Sequence, residues 1–236
     1  MLTFLKRKNI AAFLIAFVKI LFVLITFIIL SLLFLPITIF FKKNVSGKIC
    51  ARIWHHTFSR VLFLQITYIN TNCIDENKNY VYVANHQSYC DSILLGFIFP
   101  KNTFIIAKNT LKYIPFFGLL YKLSGNFYIN RSSLKAAERT LSHIARYLKT
   151  NKCSIFLFPQ GSRSKDNSIR SIKRGFIKLA KTAEVDIIPI VISSYTLKDI
   201  LTQFRRKKNV PRLARKDEIG RGEKAGCTWS RYLSGS

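Results

Sequence analysis

An apolar stretch near the N-terminus, residues 10–41, constrains the fold of this chain more than any other feature. Its sequence, IAAFLIAFVKILFVLITFIILSLLFLPITIFF, is interrupted only by Lys19, two threonines and a serine. About 20 apolar residues cross the hydrocarbon core of a bilayer, which is roughly 30 Å thick. A buried core helix of a soluble protein is rarely this long, and no A-x-A-like cleavage site follows the stretch. We therefore predict a retained membrane element.

Two geometries are open for this membrane element. It either spans the bilayer or lies in the interface, because Lys19 and Pro36 permit a bent or two-part helix with the lysine reaching the headgroups. Basic residues flank both ends of the stretch, and more of them follow it than precede it. Since cytoplasmic flanks carry the excess of Lys and Arg, we expect the rest of the chain on the cytoplasmic face of the cell (inner) membrane.

The charge of the chain is strongly positive. Of its 236 residues, 38 are Lys or Arg and 11 are Asp or Glu, so the formal net charge is +27. Such an imbalance indicates a polyanionic partner, which is nucleic acid, anionic lipid headgroups or a phosphorylated substrate. The five cysteines are scattered without a CxxC spacing, so neither a zinc site nor a disulfide framework is indicated. We expect a reducing compartment.

Short strand-like runs alternate with helical patterns between residues 64 and 192. The runs are LQITYIN, YVYVAN, TFIIAK, NFYIN, CSIFLF and VDIIPIVI. The clearest helix lies between the fourth and fifth runs, where apolar residues recur at helical spacing, namely Leu134, Ala137, Leu141, Ile144, Ala145 and Leu148. Strands interleaved with helices predict an α/β fold with a mostly parallel sheet flanked by helices.

Three parts are predicted along the chain. A membrane-associated segment covers residues 1–43, and a globular domain covers residues 44–203, opening with an amphipathic connecting helix at residues 47–64. Residues 204–236 are basic, poor in aliphatic side chains and without a sustained period, which is typical of a tail outside a packed core. The fragment GRGEKAG in this tail follows no strand, so it does not indicate a nucleotide-binding loop.

A histidine and an aspartate stand between a strand-like run and an apolar run at residues 92–99 that is typical of a buried helix. One interpretation is structural, because Ser88 and Asp91 match a capping box in which the carboxylate bonds the backbone at the helix start. The other is chemical. An aspartate in the first helical turn points back toward the N-terminus, where it can accept the proton of one ring nitrogen of His86 and leave the other as a base.

The chemical interpretation predicts a general base. An imidazole with an unperturbed pKa of about 6.5 takes a proton from an attacking hydroxyl at neutral pH, an effect worth about 10²–10⁴ in rate. Cys90 suggests a rival, a Cys/His nucleophilic pair, but nothing in the surrounding sequence would lower the pKa of its thiol. The residues of this stretch alone leave the capping and the chemical interpretations open.

Four blocks in order along the chain decide between them. NHQSYCD, residues 85–91, fits an N-H-x-x-x-x-D motif, and GNFYINR (125–131), FPQGSRS (158–164) and VDIIPIVI (185–192) follow it. Together they resemble the four blocks of the glycerolipid acyltransferases, most of all the bacterial 1-acylglycerol-3-phosphate acyltransferases. The resemblance covers roughly residues 10–195, membrane segment included, and four ordered blocks are a specific signal where one would be weak.

The resemblance implies roles for residues at these blocks. His86 is expected to be the base and Asp91 its orienting partner. Phosphate of the acceptor is expected to bind at Arg131, Arg163, Gly161 and Ser162, supported by Asn85, Gly125, Pro159, Gln160 and Lys173. Part of this also follows from the residues. CSIFLFPQGSRS reads as a strand that turns sharply at Gly161 and presents Arg163 past its carboxyl end, the edge where open α/β sheets bind ligands. A guanidinium there can hold a phosphate with two parallel hydrogen bonds.

Departures from the family pattern concern three places. Gln160 stands where the third block usually has Glu, which keeps hydrogen-bonding capacity but removes the charge. Asn130 replaces the usual Asp of the second block, and after the fourth block the chain lacks the further sheet-forming sequence of the family. None of these changes touches His86 or Asp91, so we expect activity, with altered acceptor binding as the consequence to test.

The function that the resemblance implies is acyl transfer at a membrane. The acyl group of acyl-CoA or acyl-carrier protein passes to the sn-2 hydroxyl of lysophosphatidic acid and gives phosphatidic acid, with no metal or redox cofactor required. The alternatives are another acceptor, such as glycerol 3-phosphate or a different lysolipid, and a catalytically silent relative that binds anionic lipid. No nucleic acid partner is expected, because the aromatic residues concentrate in apolar runs and are not interleaved with Lys and Arg.

Overall fold

The computed structural model of the protein describes residues 2–41, 43–64, 66, 75, 77–88, 90–96, 102–163, 171–193, 195 and 200–201. The basic tail predicted for residues 204–236 lies outside them, as does most of the first strand-like run at residues 64–70. The predicted division near residue 43 coincides with a break between two helices, since the first ends at Phe40 and the second begins at Lys43.

Helices and strands alternate through the described part of the chain. The helices are α1 (Leu2–Phe40), α2 (Lys43–Val61), α3 (Asp91–Leu95), α4 (Phe117–Leu123), α5 (Leu134–Asn151) and α6 (Gly175–Ala183). The strands are β1 (Tyr80–Ala84), β2 (Thr103–Lys108), β3 (Phe127–Ile129), β4 (Ser154–Leu157) and β5 (Asp186–Ile190), and a 3₁₀ helix, Asn109–Tyr113, follows β2. Five of the six strand-like runs are confirmed as strands, and the connecting helix begins earlier than predicted.

The five strands form one parallel sheet in the order β3-β2-β4-β1-β5. In the centre of the sheet, Val81 of β1 stands opposite Ile155 of β4 on one side and Ile187 of β5 on the other. The prediction of a parallel sheet flanked by helices is confirmed. Because all strands run the same way, their carboxyl ends meet at a single edge, here called the carboxyl edge.

Each face of the sheet carries its own apolar core, as the alternation of side chains along a strand requires. Val81 and Val83 of β1 point to one face, where helices α5 and α6 cover them with buried residues that include Ile144, Leu148 and Leu179. Tyr80, Tyr82 and Ala84 point to the other face, which the end of α2 and the helix α3 cover with Leu62, Leu94 and Leu95. Both faces are therefore shielded, as in other parallel sheets.

Helix α5 confirms most of the predicted apolar stripe. The Ser133 side chain caps its start by accepting from Ala136 N at 3.1 Å, and Lys152 in the left-handed region, φ 45°, ends it. Ile144, Ala145 and Leu148 are buried against the sheet. Leu134 was predicted on the same stripe but is 88% exposed, because the first helical turn extends beyond the sheet that the later turns cover.

Helix α1 carries the membrane candidate, Ala12–Phe40, as one continuous helix through Pro36. Most of its large apolar side chains are exposed. One side packs on the domain, where Phe27 contacts Trp54 of α2 and Phe117 of α4 at ring-centroid distances of 5.2 and 5.1 Å. The two-part helix allowed by the sequence is therefore not formed within α1.

Lys19 of α1 is buried against protein, so the structure does not support the alternative in which this lysine reaches the lipid headgroups. Its Nζ donates to Ile200 O at 3.3 Å and lies 4.9 Å from the ring centroid of Phe63. The carbonyl oxygen and the aromatic face provide the polar contacts that headgroups would otherwise offer to the ammonium group. Lys19 thus attaches the apolar helix to the domain.

Candidate active site

The histidine and the aspartate of the first block meet at the carboxyl edge, directly after β1. His86 Nδ1 lies 2.7 Å from Asp91 Oδ2, and Asp91 has no exposed side-chain surface while the His86 side chain is 20% exposed. Asp91 is the first residue of α3, so its side chain points back across the turn toward His86. The short turn between strand and helix therefore brings the two side chains together.

The Asp91 carboxylate accepts four hydrogen bonds. Oδ2 accepts from His86 Nδ1, from Gln87 N at 2.7 Å and from Ser88 N at 2.9 Å, and Oδ1 accepts from the hydroxyl of Tyr195. A carboxylate acts as acceptor only, so in the neutral imidazole of His86 the proton is on Nδ1 and Nε2 holds the free lone pair. One carboxylate thus makes both contacts that the sequence left open, because it bonds the backbone before the start of α3 and also holds the ring nitrogen of His86.

The tyrosine hydroxyl in this network is a donor. Burial first, and then the Asp91 carboxylate, raise the pKa of Tyr195 well above its ordinary value, so the hydroxyl stays protonated at any physiological pH. Tyr195 follows β5 and reaches across the carboxyl edge to α3. It supplies Asp91 with a bond that no backbone group of the turn provides.

The imidazole of His86 is also held from the side of β4. Its ring stacks on Phe158, with 4.0 Å between ring centroids and 16° between the planes. The backbone N–H of His86 donates to Gln160 Oε1 at 2.5 Å. Because β1 and β4 are neighbours in the sheet, the first and third blocks of sequence form one side of the site.

Asn85 fixes the end of β1 to the chain that follows β5. Its Nδ2 donates to Ile192 O at 2.9 Å, and its Oδ1 accepts from Ile192 N at 2.7 Å. Gln87 adds a further bond, from Nε2 to Ser193 O at 2.8 Å. The fourth block thereby supports the loop that carries His86, and Asn85 is one of the residues that join the two.

Two cations converge on Gly161 in the loop after β4. Gly161 has a φ of +73°, and a Cβ placed on it would lie 3.1 Å from Arg131 Nη1 and 3.4 Å from Lys173 Cε. Arg131 also donates from Nη1 to the Gly161 carbonyl oxygen. Burial lowers the pKa of Arg131, but a guanidinium remains protonated in proteins. The second and third blocks thus form a cationic corner around a glycine, with Arg131 and Lys173 as its charges.

Arg163 and Ser162 lie next to this corner in the sequence. Ser162 is exposed and Arg163 is half-buried. Lys173 N donates to Pro159 O at 3.1 Å, so the chain returns to the loop after β4 once it has passed through residues 164–170, which lie outside the described part. Pro159 therefore joins the two segments that carry Arg163 and Lys173.

Gly125 is not part of the site, and its predicted supporting role there is wrong. It lies at the amino end of β3, on the edge of the sheet opposite to His86. Its φ is +83°, and a Cβ would lie 2.8 Å from Phe104 Cε1 and 3.2 Å from Lys43 Cβ. Gly125 is required for close packing of β2 against the start of α2. This packing accounts for a glycine at position 125 without any role in ligand binding.

Asn130, which stands where the family usually has Asp, has a local structural role. Asn130 Oδ1 accepts from Ser132 N at 3.0 Å, a turn contact that an aspartate would make equally well.

Cys90 is buried, and burial raises the pKa of its thiol to about 11, so it is a thiol rather than a thiolate at neutral pH. The Cys/His nucleophilic pair is therefore not supported. Among the described residues, no group of three or more His, Cys, Asp and Glu is placed to hold a metal ion.

Sequence reasoning missed Tyr195 and Phe158 as parts of the site. The hydrogen bond from Tyr195 joins residues 104 positions apart, so no local spacing announces it. Phe158 belongs to the third block, but an aromatic residue at the end of an apolar strand indicates core as readily as site. The sequence feature that could have identified Tyr195 is its position, since it is a polar aromatic residue just after the last strand.

A buried aspartate that orients an accessible histidine, beside converging cations at one edge of a parallel sheet, is an arrangement that can provide a general base next to an anion site. The sequence profile of the acyltransferase family matches residues 65–193, more than half of the chain. The chain therefore belongs to the acyltransferase family, as the sequence blocks predicted.

Individual relatives give the same family. The 1-acyl-sn-glycerol-3-phosphate acyltransferase of Saccharomyces cerevisiae is 33% identical over 159 residues, which are 66% of this chain and 52% of the yeast protein. The enzyme of the same name from Escherichia coli is 36% identical over 116 residues, 49% of this chain and 47% of that one. The chain thus spans about half the length of these curated relatives.

A solved structure shares the fold. The crystal structure of the 1-acyl-sn-glycerophosphate (LPA) acyltransferase PlsC from Thermotoga maritima superposes with a TM-score of 0.65 at 20% sequence identity. The superposition covers 88% of this chain and 85% of that chain. At this identity the similarity establishes the architecture, and the chemistry of this chain depends on its own residues.

Proposed function

We propose that this protein transfers an acyl group from a thioester donor to the sn-2 hydroxyl of lysophosphatidic acid and forms phosphatidic acid. The observation that carries the proposal is the pair of His86 and Asp91, with its fixed tautomer, on the same sheet edge as the cationic corner. One side supplies a base and the other binds an anion, and lysophosphatidic acid offers both a hydroxyl and a phosphate. The names of the relatives support this choice of acceptor.

The reaction follows from the free lone pair on Nε2 of His86. This nitrogen removes the proton of the acceptor hydroxyl while its oxygen attacks the carbonyl carbon of the thioester. A C–O bond forms, the C–S bond breaks, and the leaving thiolate takes the proton back from the imidazolium. Asp91 keeps Nδ1 protonated throughout and stabilises the positive charge that develops on the ring.

The phosphate of the acceptor binds in the cationic corner. Arg131 is half-buried and its guanidinium is already oriented by the Gly161 carbonyl, so little side-chain freedom is lost on binding. Lys173 adds a second charge from the other side of Gly161. Arg163 and Ser162 follow two and one residues later on the same loop and complete the anion site. The donor is acyl-CoA or acyl-carrier protein, both of which are anionic and suit a chain of net charge +27.

Membrane association through α1 belongs to the same proposal. Helix α1 contacts the domain from Lys19 to Phe34, a separation of 15 positions that covers about 22 Å of helix. A helix upright in the bilayer would carry that part of the domain into the hydrocarbon core. We therefore place α1 in the plane of the interface, on the cytoplasmic side, with its exposed apolar side chains, such as Phe13 and Leu33, toward lipid.

The experiment that tests this proposal measures acyl transfer by membranes containing the full chain. Lysophosphatidic acid and glycerol 3-phosphate are compared as acceptors, for the unchanged protein, for His86→Ala and for the control His143→Ala, which removes an exposed histidine of α5. Phosphatidic acid formed from lysophosphatidic acid, lost in His86→Ala and kept in His143→Ala, is the expected result. Transfer only to glycerol 3-phosphate would contradict the acceptor, and no transfer by folded protein would favour a silent lipid-binding relative.

A further inference from the structure

Exposed apolar side chains surround the candidate site at the carboxyl edge. They follow four different strands and are here called the apolar rim, which consists of Tyr113 and Phe116 after β2, Leu134 after β3, Ile172 after β4 and Val191 after β5. Tyr113 is 74% exposed and Leu134 is 88% exposed, values that a side chain with a purely structural role in the core would not have. The segments of the described chain that lead into strands, residues 77–79, 102, 124–126, 152–153 and 184–185, present no such side chain.

The part of the rim after β2 is held rigidly. Phe116 has a φ of 59° and is exposed, and Phe117 N donates to Pro115 O at 2.6 Å in a tight turn. A Cβ on the buried Gly118 would lie 2.3 Å from Lys112 O, and the Tyr128 hydroxyl donates to Gly118 O at 2.8 Å. A bulky residue at positive φ is unfavourable and persists only where the surrounding structure fixes it. The fold thus holds an apolar side chain outward in a fixed position.

Acidic side chains are distributed unevenly between the two edges of the sheet, although basic side chains such as Lys78 and Lys152 are exposed at the amino edge as well. Residues 101–135, which carry the rim after β2 and β3, contain no Asp or Glu. Lys112 Nζ lies 4.8 Å from the ring centroid of Tyr113, and the exposed Arg174 follows Ile172 by two positions. The exposed acids Glu184 and Asp186 stand instead at the amino end of β5. Apolar side chains mixed with cations suit an anionic lipid surface.

The rim is also continuous with the apolar surface of α1. Phe117, next to Phe116, contacts Phe27 of α1 with 5.1 Å between ring centroids. Leu24 and Ile28, which neighbour Phe27 on α1, are exposed. An apolar surface therefore passes from the membrane helix to the carboxyl edge through α4.

We propose that the apolar rim docks onto the bilayer surface, so that the carboxyl edge with His86 faces the lipid headgroups. The inference rests on the membrane association proposed above and adds a second, independent contact to that of α1. The rim side chains enter the interfacial region, and the lysines and arginines between them bind anionic headgroups. A lysolipid then reaches His86 with its acyl chain still among the lipids, so the acceptor need not leave the membrane.

The test uses the full-length protein on vesicles of phosphatidylethanolamine and phosphatidylglycerol. Phe116 and Leu134 are replaced, one at a time, by the photocrosslinking residue benzoylphenylalanine, and the control replaces Thr150, an exposed residue in the last turn of α5, which leads into β4. After irradiation, mass spectrometry detects phospholipid adducts. We expect adducts at 116 and 134 in at least tenfold higher yield than at 150, and lower yields on vesicles of phosphatidylcholine alone.

Two outcomes would overturn the proposal. Equal yields at all three positions would mean that the carboxyl edge does not face the bilayer, and crosslinks between two protein chains at 116 or 134 would mean that the rim binds a second copy. Repeating the experiment in His86→Ala separates this result from the proposed function, because the adducts require docking and not acyl transfer.

Loss of the rim has a kinetic consequence that provides a second measurement. The double variant Phe116→Ser with Leu134→Ser is expected to raise KM about tenfold for long-chain lysophosphatidic acid in vesicles and to leave KM unchanged for a short-chain, water-soluble acceptor. An equal change for both acceptors would show that the substitutions damage the site itself, and the rim would then have no role in docking.

Discussion

The histidine side and the cation side of the site differ in how completely they are held before a substrate binds. Both oxygens of the Asp91 side chain accept hydrogen bonds, and His86 is fixed through its ring nitrogen, its ring face and its backbone N–H. On the cation side, Arg131 is oriented by one carbonyl oxygen, and the Lys173 side chain is exposed at the surface. The difference fits the proposed function, in which geometry is fixed in advance at the base that takes the proton and is adjustable at the cations that bind the phosphate.

This comparison assigns the largest expected effect to Asp91. In Asp91→Asn, the amide group cannot accept from all the donors that face it, and an amide N–H directed at His86 favours the tautomer with the proton on Nε2. We expect kcat to fall by about 10²–10⁴ while KM for the acceptor changes little.

Steady-state kinetics on membranes containing equal amounts of folded protein measure this effect, and a thermal melt shows whether the variant is folded. The control Asp186→Asn removes an exposed aspartate at the start of β5 and should leave kcat unchanged. If Asp91→Asn were folded and fully active, His86 would not be the base.

The cation side is expected to respond in KM rather than in kcat. Arg131→Ala removes a half-buried guanidinium, and a hydrogen bond to a charged group contributes about 1.5–3 kcal/mol, equivalent to roughly 10- to 150-fold in binding. We therefore expect KM for lysophosphatidic acid to rise within this range, with kcat reduced less than in Asp91→Asn. The variant Arg139→Ala, at an exposed position on α5, is the matched control.

A comparison of two acceptors sharpens this prediction. With an uncharged lysolipid analogue that lacks the phosphate, Arg131→Ala and the unchanged protein should have similar KM values, because the analogue forms no charge pair with Arg131. A KM that rises equally for the phosphate-bearing and the uncharged acceptor would show that Arg131 acts on folding of the loop after β4 and not on the phosphate.

Tyr195→Phe is expected to have an intermediate effect. The substitution removes one of the four donors to Asp91 and leaves the other three, so the carboxylate keeps its position but loses a bond to a charged acceptor. At about 1.5 kcal/mol, kcat should fall roughly tenfold with KM unchanged. A change in KM without a change in kcat would show that Tyr195 supports the acceptor site and not the base.

The sequence predicted the contacts whose two residues lie close together along the chain, and it did not predict those between distant residues. The strands followed from their apolar runs. The contact between His86 and Asp91 was predictable because five positions at a strand-to-helix junction place them in one turn, and the four sequence blocks indicated a chemical role for the pair. Tyr195 and Lys19 were not, since their partners lie 104 and 181 positions away. Gly125 belongs to a matching block but lies at the opposite edge, so a block match alone does not give a position in space.

Gln160→Glu has the smallest expected effect, and position 160 tests how the histidine side is held. The Gln160 Oε1 accepts from the backbone N–H of His86, a bond that a glutamate oxygen also accepts, whereas the Gln160 Nε2 is buried and has no hydrogen-bond partner among the residues that the structure describes. A buried unpaired N–H costs about 1–3 kcal/mol, and Gln160→Glu removes that donor but adds a charge to a site 5% exposed.

Because the bond to His86 survives in Gln160→Glu, we expect kcat to change by less than about threefold, a difference below roughly 0.7 kcal/mol. Gln160→Leu, which has similar volume and no acceptor, should lower kcat by about tenfold, since it leaves the His86 N–H without its acceptor. Kinetics on both variants separate the effect of the hydrogen-bond acceptor at position 160 from the effect of a negative charge there. If Gln160→Glu raised kcat strongly while Gln160→Leu had no effect, the charge of the family glutamate would matter, and the hydrogen bond to His86 would not be what this position contributes.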